Sequence, residues 1–521
     1  MSTIIVNKGI DYDIYGKLLN SSSSGKNTIS VIDSGEEGTI RLLTNAFRYH
    51  SSLKTVNLSS LKTEHLVDTS STFYGCYNLT SVANFSTVNV TNMSNMFYLC
   101  NNITTVPNFD TSNVIDMNYA FSQCIKLSSI PNFNTGKVKH MSSTFSGCNN
   151  ITTVPNFDTS NVVDMSFMFS GCNSINTVPN FNTINVTNMS CMVMYCNNIT
   201  SLPDLDTSNV TNMNGMISYC RKITSVPDFD TSNVVDMSSV LIGCWNLVSL
   251  PNFDTSNVVN MSRAFIECKN ITSATIFNTA MVTNMNSMFS TCNNLVTVSN
   301  IDATNAVDMG QMFMSCNNLT SVSMTNINNV VNVTHMFEHC VKLENAPEIN
   351  SQYITNTYYM FKDCKSLLSV PNFDTSNVID AGAMFHGCNN LTVVPNFNMI
   401  NVINAHSMFG SCYNLTAIPN INLANATDMS YLAEYCYNLV DMPEFNTVNV
   451  TNMYRMCAKC NNLSDASIQN IINMALNSNI TNVSYMNLNT ENSNSVFYNS
   501  NITSSRYANR LDELTNAGWT Y

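Results

Sequence analysis

The amino-acid sequence predicts an α/β repeat solenoid with one short strand and one short helix in each 24-residue coil. Three observations support this prediction. Cysteine recurs every 24 residues, apolar residues hold fixed positions between the cysteines, and an aspartate or asparagine stands eight residues before almost every cysteine. Because a solenoid grows coil by coil rather than around one core, the length of 521 residues does not imply several domains.

The cysteine spacing is the strongest of these signals. Seventeen cysteines run from Cys76 to Cys460, and 460 − 76 = 384 = 16 × 24, so this stretch contains no insertion or deletion. One earlier coil has His50 in the cysteine position, 26 residues before Cys76. End repeats of a solenoid are usually irregular in this way. We therefore expect about 18 coils over residues 46–463.

The segments on either side of each cysteine predict the two elements of a coil. Before the cysteine, four apolar residues of one repeat follow the helical spacing i, i+3, i+4, i+7: Met93, Met96, Phe97 and Cys100. The preceding Asp or Asn suits a helix N-cap. After the cysteine comes a short β-branched segment that predicts a strand, which a proline such as Pro107 would end. These elements define a leucine-rich-repeat type of solenoid.

Strands and helices of neighbouring coils stack at different distances. Strands stack about 4.8 Å apart, whereas packed helices need about 8–10 Å. The stack is therefore expected to curve, with the strands on its inner side. Most of the 32 methionines fall on the helix seam, where a flexible thioether fills gaps between helices. This is a packing role and not a metal site.

Both ends of the chain depart from the repeat and are predicted to be caps. Residues 1–45 form the expected N-terminal cap, and residues 464–521 form a C-terminal helical cap. The C-terminal cap should begin with an amphipathic helix and contain a second helix over residues 506–517. Trp519 and Tyr521 are then expected to pack back onto the body.

Composition excludes several functions. The net charge is −13 and only 11% of residues are charged, with no Lys/Arg cluster of the kind that binds nucleic acid or anionic membranes. No apolar run is long enough for membrane insertion. The first ten residues lack the pattern of a secretory signal. The chain is expected to fold in the cytoplasm and to be associated with a virion or a cell surface.

The cysteines predict packing rather than chemistry. One thiol per coil gives a cysteine ladder of buried apolar side chains rather than disulfides or metal sites. Cys457 and Cys460 spell CxxC, but no second pair completes a zinc site. Cys191 lies at a variable position and is predicted to be a surface thiol. No nucleophile, base and orienting group recur together, so we expect no enzyme activity, no metal and no cofactor.

Binding has one positive signal in the sequence. The positions five, two and one before the cysteine, and one after it, vary from coil to coil and hold aromatic residues in register. Exposed aromatic rings can anchor sugars or proteins, although drift on an unconstrained surface would give the same pattern. The candidate binding residues are Tyr195, Tyr219, Trp245, Tyr413, Tyr435, Tyr437, Tyr359 and Tyr431.

The predicted strand face offers a second surface. Threonine and serine recur there in register, as in Thr104-Thr105 and Thr152-Thr153. Such an array can bind glycans or order water, as an ice-binding surface does. The array also has an explanation without a ligand, because threonine favours strands.

The repeats resemble a known family. Residues 92–97 and 108–114, set against their cysteine, look like BspA-type leucine-rich repeats and more narrowly like the variant in mycoplasma-type surface lipoproteins. The resemblance covers about residues 46–463. It implies surface-displayed proteins that attach to host cells, matrix or other microbes. The ending Leu511 to Tyr521 is similar to tails found after such repeats in bacterial and bacteriophage proteins.

These observations predict a non-enzymatic surface-recognition or adhesion protein. Its partner would be a host or microbial surface protein or glycan, contacted at several points along the solenoid. A bacteriophage receptor-binding or virion-surface component fits the lack of a signal sequence. Two alternatives stay open, namely a structural spacer in a larger assembly and an ice- or glycan-binding Thr/Ser array.

Overall fold

The computed structural model is a stack of coils that divides into two compact units, Met1–Asn257 and Val258–Tyr521. Both units are built from the same repeat. The structure describes residues 2–6, 28–33, 40–60, 62–275, 278–482, 486–498 and 500–521.

Regular strands occur in a minority of the coils. The first unit has a four-stranded parallel sheet whose strands follow chain order: β1 Ser2–Val6, β2 Thr28–Asp33, β3 Thr55–Ser60 and β4 Ser81–Val82. The second unit has a three-stranded parallel sheet: β5 Ser273–Thr275, β6 Thr297–Asp302 and β7 Ser321–Thr325. Equivalent residues of successive coils pair, as Thr297 does with Ser321. Most of the predicted cap at residues 1–45 lies outside the described residues, and the cap stays a prediction.

Proline explains where the strands form. All 12 prolines stand seven residues after a cysteine. The coils that contain β4 to β7 carry Ala83, Thr275, Ser299 and Ser323 at that position instead. Proline has no N–H to donate to a neighbouring coil, so the strand ladder is interrupted wherever it is present. The predicted strand is therefore regular only in coils without proline, and elsewhere this segment lacks regular strand pairing.

The helix predicted in each coil is wrong, although the leucine-rich-repeat solenoid is confirmed. The segment before Cys100 is a series of tight turns. The N–H of Phe97 donates to the carbonyl of Ala120 in the next coil at 2.8 Å, while the N–H of Cys100 donates back to Phe97 at 2.9 Å. Asn95 and Leu99 take positive φ angles of 56° and 64°. Alternate N–H groups thus leave the segment, which an α-helix does not allow.

Hydrogen bonds between coils explain this departure. In the second unit, the N–H of Phe313 likewise donates to the carbonyl of Met336 at 2.9 Å. Such bonds need neighbouring backbones at about the strand spacing of 4.8 Å. Helices packed side by side are about 8–10 Å apart and could not make them. The turns therefore allow both sides of a coil to bond to the next coil.

The core consists of columns that run along each unit. The cysteine column is buried as predicted, and within each unit its thiols donate to carbonyls of the preceding coil, as Cys148 Sγ does to Phe121 at 3.1 Å and Cys340 Sγ does to Phe313 at 3.1 Å. The phenylalanines form a second column with stacked rings. The rings of Phe337 and Phe361 lie 5.5 Å apart and 2° from parallel.

The buried thiols should be chemically inert in the folded protein. Burial raises the pKa of Cys172 and of Cys220 to about 12, and only the thiolate reacts quickly with alkylating reagents. We expect iodoacetamide at pH 8 to leave the native chain unmodified, whereas all 19 cysteines react in guanidinium chloride. Intact-mass spectrometry counts the adducts. Rapid labelling of several native thiols would show that the column is open to solvent.

Cys191 differs from its prediction. It was expected to be a surface thiol, but only 7% of it is exposed. Its sulfur lies over Gly215 of the next coil, where an added Cβ would come within 2.9 Å of Sγ. Burial raises the pKa of this thiol to about 11. The absence of a side chain at Gly215 therefore makes room for Cys191.

The C-terminal segment contains the first predicted helix. Helix α1, Asp465–Asn477, begins after Ser464, whose side chain accepts the N–H of Ser467. The predicted helix over 506–517 is instead a 3-10 helix, Ser504–Arg510, followed by α2, Leu511–Asn516. Trp519 is buried as expected, but Tyr521 is exposed, so that part of the prediction is wrong. None of the described helices is long and apolar enough to cross a membrane.

A closing turn near the C-terminus was not predicted. The N–H of Cys457 donates to Val496 and the N–H of Lys459 donates to Tyr498, each at 2.9 Å. The carbonyls of Val496 and Tyr498 occupy the positions that carbonyls of a further coil would take. Val496 and the neighbouring Phe497 are fully buried. The segment therefore gives acceptors to the last regular turn and covers its apolar end.

Candidate functional site

The turn segments present the variable positions to solvent. We call the positions five, two and one before each cysteine, together with the one after it, the turn surface. In one coil Met192, Val193 and Cys196 are fully buried, whereas Tyr195 is 44% exposed. Tyr195 has a φ of 61°, and the equivalent Tyr219 has a φ of 58°. The same turn thus buries one set of side chains and exposes the other.

Three predicted residues and one further residue form two neighbouring pairs on the turn surface of the first unit. The rings of Tyr195 and Tyr219 stack with centroids 4.7 Å apart and planes 7° apart. The guanidinium carbon of Arg221 lies 4.2 Å from the ring centroid of Trp245. We call these four residues the central patch. The sequence had indicated the three rings but not Arg221.

Glycine makes room for the central patch. Gly243 takes a φ of 70°, and a Cβ added there would come within 2.5 Å of the Tyr219 ring. In the coil before Tyr195, Gly171 also has a positive φ, but an added Cβ would meet only the backbone of Gly147 at 3.6 Å. One side of the patch therefore rests on the backbone at Gly243, and only backbone lies close to Gly171 on the other side.

The second unit brings together three more of the predicted residues. The rings of Tyr413 and Tyr437 lie 5.2 Å apart, and those of Tyr435 and Tyr437 lie 6.1 Å apart in an edge-to-face arrangement. Tyr413 and Tyr437 are both exposed. This cluster spans two adjacent coils, as the sequence register had indicated.

Tyr359 and Tyr431 belong to separate clusters. Tyr359 stacks on Tyr358 with ring centroids 4.0 Å apart, and the Lys362 ammonium lies 4.1 Å from the Tyr359 centroid. Tyr431 packs edge-to-face against Tyr454 at 5.0 Å. The predicted residues therefore do not form one continuous surface, and each cluster contains a ring that was not predicted.

One aromatic row was missed altogether. The rings of Tyr49, Tyr74 and Tyr98 meet edge-to-face across three successive coils at 5.1 Å and 4.9 Å. The guanidinium carbon of Arg48 lies 4.5 Å from the Tyr74 centroid. Tyr74 and Tyr98 both stand two residues before a cysteine. Reading that column along the chain, rather than coil by coil, would have found the row.

A charged cluster lies beside Tyr359. The side chain of Glu338 is only 9% exposed, with His335 Nδ1 at 2.7 Å and Lys362 Nζ at 2.9 Å. A second imidazole, that of His339, lies 3.5 Å away. Burial acts to raise the pKa of the Glu338 carboxyl, but the hydrogen bonds from His335 and Lys362 outweigh it and lower that pKa to about 2. Glu338 is therefore a buried carboxylate held by the Lys362 ammonium and the His335 imidazole.

The Thr/Ser positions are exposed, but several of their hydroxyls bond within the stack. Thr104 and Thr105 are both exposed, as are Thr152 and Thr153. At the position of Thr104 in the next coil, Ser128 Oγ donates to the Thr104 carbonyl at 3.3 Å. In the second unit, Thr320 Oγ1 donates to the Val296 carbonyl at 3.1 Å. These bonds give the hydroxyls a structural role between coils.

The second unit also has two shallow grooves. One has a volume of about 410 Å³ and is lined mainly by amides, including Asn350, Asn372 and Asn396. The other, of about 470 Å³, is lined by Tyr353, Ile379 and their neighbours in register. No group of three His, Cys, Asp or Glu side chains within the described ranges is arranged to hold a metal ion.

Stacked parallel coils with buried columns and one variable turn surface define a leucine-rich-repeat solenoid. The chain belongs to the family described as "Mycoplasma protein of unknown function, DUF285". The predicted resemblance to leucine-rich repeats of the mycoplasma type is confirmed. The family matches overlapping stretches at residues 41–153, 125–228, 197–293, 221–321, 242–350, 355–471 and 394–510.

Several solved structures are similar to this chain. A leucine-rich repeat protein from Bacteroides ovatus is 15% identical, with 73% of this chain and 88% of that chain covered and a TM-score of 0.40. A leucine rich cell surface protein from Faecalibacterium prausnitzii is 16% identical, with coverages of 74% and 92% and a TM-score of 0.32. A leucine-rich repeat protein from Eubacterium ventriosum is 13% identical, with coverages of 81% and 88% and a TM-score of 0.26. No curated protein sequence matches the chain.

Proposed function

We propose that this protein is a non-enzymatic recognition protein that binds a partner through its turn surface. The observation that carries the proposal is the stacked pair Tyr195 and Tyr219, which projects from two successive coils. Equivalent positions in nearby coils hold small residues such as Gly147 and Gly171, so packing of the repeat does not require a large ring there. Exposed rings in contact with each other are typical of binding surfaces.

The spacing of the clusters supports multivalent adhesion. Separate aromatic clusters occur in both units, at the central patch and around Tyr413 and Tyr437. A partner that repeats on a cell surface can engage more than one cluster, which raises the overall affinity without new contacts. The proposed partner is a host or microbial surface protein or glycan. In this proposal residues 46–463 are the recognition body, and the segments 1–45 and 464–521 protect its ends.

A binding screen with a matched control tests the proposal. The full chain is applied to glycan arrays and to host and bacterial cells, beside a variant that carries Tyr195→Ala, Tyr219→Ala and Trp245→Ala. We expect this variant to bind at least about tenfold more weakly, because aromatic anchors usually dominate binding energy. A control variant removes exposed apolar residues from another column of the same unit: Ile115→Ala, Val163→Ala and Val235→Ala.

Two results of this screen would contradict the proposal. Equal binding by the wild type and the aromatic variant would remove the turn surface from the binding site. A wild-type chain that binds nothing, yet co-purifies with a structural protein, would favour the spacer alternative. Mass spectrometry of purified bacteriophage particles separately tests whether the chain is carried on a virion.

A further inference from the structure

We propose that the central patch takes a polysaccharide of pyranose rings that bear carboxylate groups. This inference rests on the proposed function and adds the chemical class of the partner. The outer face of the Tyr195 ring would contact a sugar face, and Arg221 would pair with a sugar carboxylate. The charge of Arg221, its surroundings and the ring geometry each support this assignment.

Arg221 is a cation without a carboxylate partner among the described residues. Its guanidinium carbon lies 4.2 Å from the centre of the Trp245 ring, so the indole holds the side chain in place. No carboxylate pairs with Arg221 in the part of the chain that the structure describes. Its N–H donors remain available to a ligand, and a guanidinium binds a carboxylate with two parallel hydrogen bonds.

Two other stacked cations of the turn surface are already neutralised. Lys362, which lies over Tyr359, has the Glu338 carboxylate at 2.9 Å. Arg455, which lies over Tyr498, has the Glu434 carboxylate at 3.3 Å. A third, Arg48 over Tyr74, donates to the Asn45 side chain at 3.3 Å. Arg221 has the same stacked arrangement with neither a carboxylate nor an amide oxygen bound to it among the described residues, so an external anion would complete it.

The surroundings of Arg221 are cationic in a strongly acidic chain. The turn segments at residues 191–198, 215–222 and 239–246 contain no Asp or Glu, although the net charge of the chain is −13. The neighbouring Lys222 is exposed and donates to Asn198 at 2.7 Å. An acidic ligand therefore meets two positive charges here and no local repulsion.

The aromatic rings of the central patch suit a ligand built of sugar rings. Tyr195 and Tyr219 are parallel within 7°, with Tyr219 behind Tyr195, and Tyr195 is 44% exposed, so the pair offers the outer face of Tyr195 rather than an enclosed pocket. In the coil before Tyr195, a Cβ added at Gly171 would meet only the Gly147 backbone, at 3.6 Å. Because coils repeat about every 4.8 Å, a polymer lying along the stack meets Gly171, the Tyr195 ring and then the coil of Arg221. A protein partner would more often insert an anchor into a pocket.

Three soluble polymers separate charge from ring stacking. Polygalacturonate has pyranose rings and carboxylates, dextran has uncharged pyranose rings, and polyglutamate has carboxylates without sugar rings. Binding of each to the full chain is measured by biolayer interferometry at low and at physiological salt. We expect polygalacturonate to bind at least about tenfold more tightly than either of the other two, since only it satisfies both Arg221 and the tyrosines.

Substitutions then assign the effect to Arg221. Arg221→Gln removes an exposed charge and should weaken polygalacturonate binding about tenfold or more. Arg221→Lys keeps the charge but loses the two-point geometry, so an intermediate loss of about threefold is expected. Lys137→Gln is the matched control, because Lys137 is an exposed cation outside the turn surface that bonds to Asn113. Melting temperatures confirm that every variant is folded.

The outcomes distinguish this inference from the proposed function. Equal binding of dextran and polygalacturonate, with a loss in Tyr195→Ala, would overturn the acidic class and keep the turn surface as the binding site. Equal binding of polyglutamate would point to an acidic protein instead and also overturn the inference. If Tyr195→Ala and Trp245→Ala leave every ligand found in the screen unaffected, both proposals fail.

Discussion

Replacing Phe145 with alanine is expected to lower the local free energy of unfolding by about 3–5 kcal/mol, the usual cost of removing a fully buried phenylalanine. Phe145 is fully buried. Its ring stacks between those of Phe121, at 5.6 Å, and Phe169, at 5.9 Å. Because the ring contacts both neighbouring coils, its loss removes stabilisation from two coil interfaces at once. Native-state hydrogen exchange of the amides in these coils measures the effect.

The neighbouring coil provides a control of the same residue type. Phe167 lies on the turn surface and is 38% exposed. Phe167→Ala should change the free energy of unfolding by less than about 1 kcal/mol, since little buried area is lost. Similar losses for Phe145→Ala and Phe167→Ala would show that the phenylalanine column does not hold the coils together.

The buried carboxylate gives the second large effect, which depends on pH. The pKa of Glu338 is lowered to about 2 from an ordinary value of 4.5. A folded-state pKa below the unfolded value means that the stabilisation is complete above about pH 4.5 and is lost as the pH falls toward 2. The shift corresponds to about 3 kcal/mol.

Glu338→Gln isolates this contribution. The variant should be less stable than the wild type by about 3 kcal/mol at pH 5.5 and nearly equal to it at pH 2. Urea denaturation across this range gives the difference. Glu344→Gln is the control, because Glu344 is an exposed carboxylate of the same unit. A difference between wild type and Glu338→Gln that stays constant with pH would mean that the Glu338 charge does not stabilise the fold.

The columns of the core could be predicted because the period fixes them. Seventeen cysteines in one register allow a single arrangement in which each thiol lies over the previous one. The first helix of the C-terminal segment was also predictable, since Ser464 is followed by an apolar pattern long enough for three turns. Both results follow from long patterns in which many residues agree.

The helix in each coil was mispredicted for a specific reason. Its buried residues, such as Met93, Met96 and Phe97, are the ones that a helix would bury. Its first residue also behaves as an N-cap, because the Asn92 side chain accepts the N–H of Ser94 at 2.9 Å. The segment differs from a helix because alternate backbone N–H groups donate to carbonyls of the next coil. Hydrogen bonds between repeats cannot be inferred from the apolar pattern within one repeat.

The aromatic part of the candidate site could be read from the sequence, and its charge could not. Tyr195 and Tyr219 occupy the same column in adjacent coils, so their contact follows from the register. Arg221 and Trp245 share another column, one residue after the cysteine. Their contact was missed because only aromatic residues were compared there. The lack of an acidic partner for Arg221 depends on side-chain positions that only the folded chain defines.

Register between coils also bears on how such a gene can change. Within each unit, the described coils donate to and accept from their neighbours at equivalent positions, so inserting or deleting one whole repeat there leaves the bonds of the remaining coils intact. Unequal recombination between repeats can therefore lengthen or shorten the protein in steps of 24 residues without creating a mismatched junction. An insertion or deletion of any other length would move the thiols, the rings and the prolines out of register together, and selection would remove it.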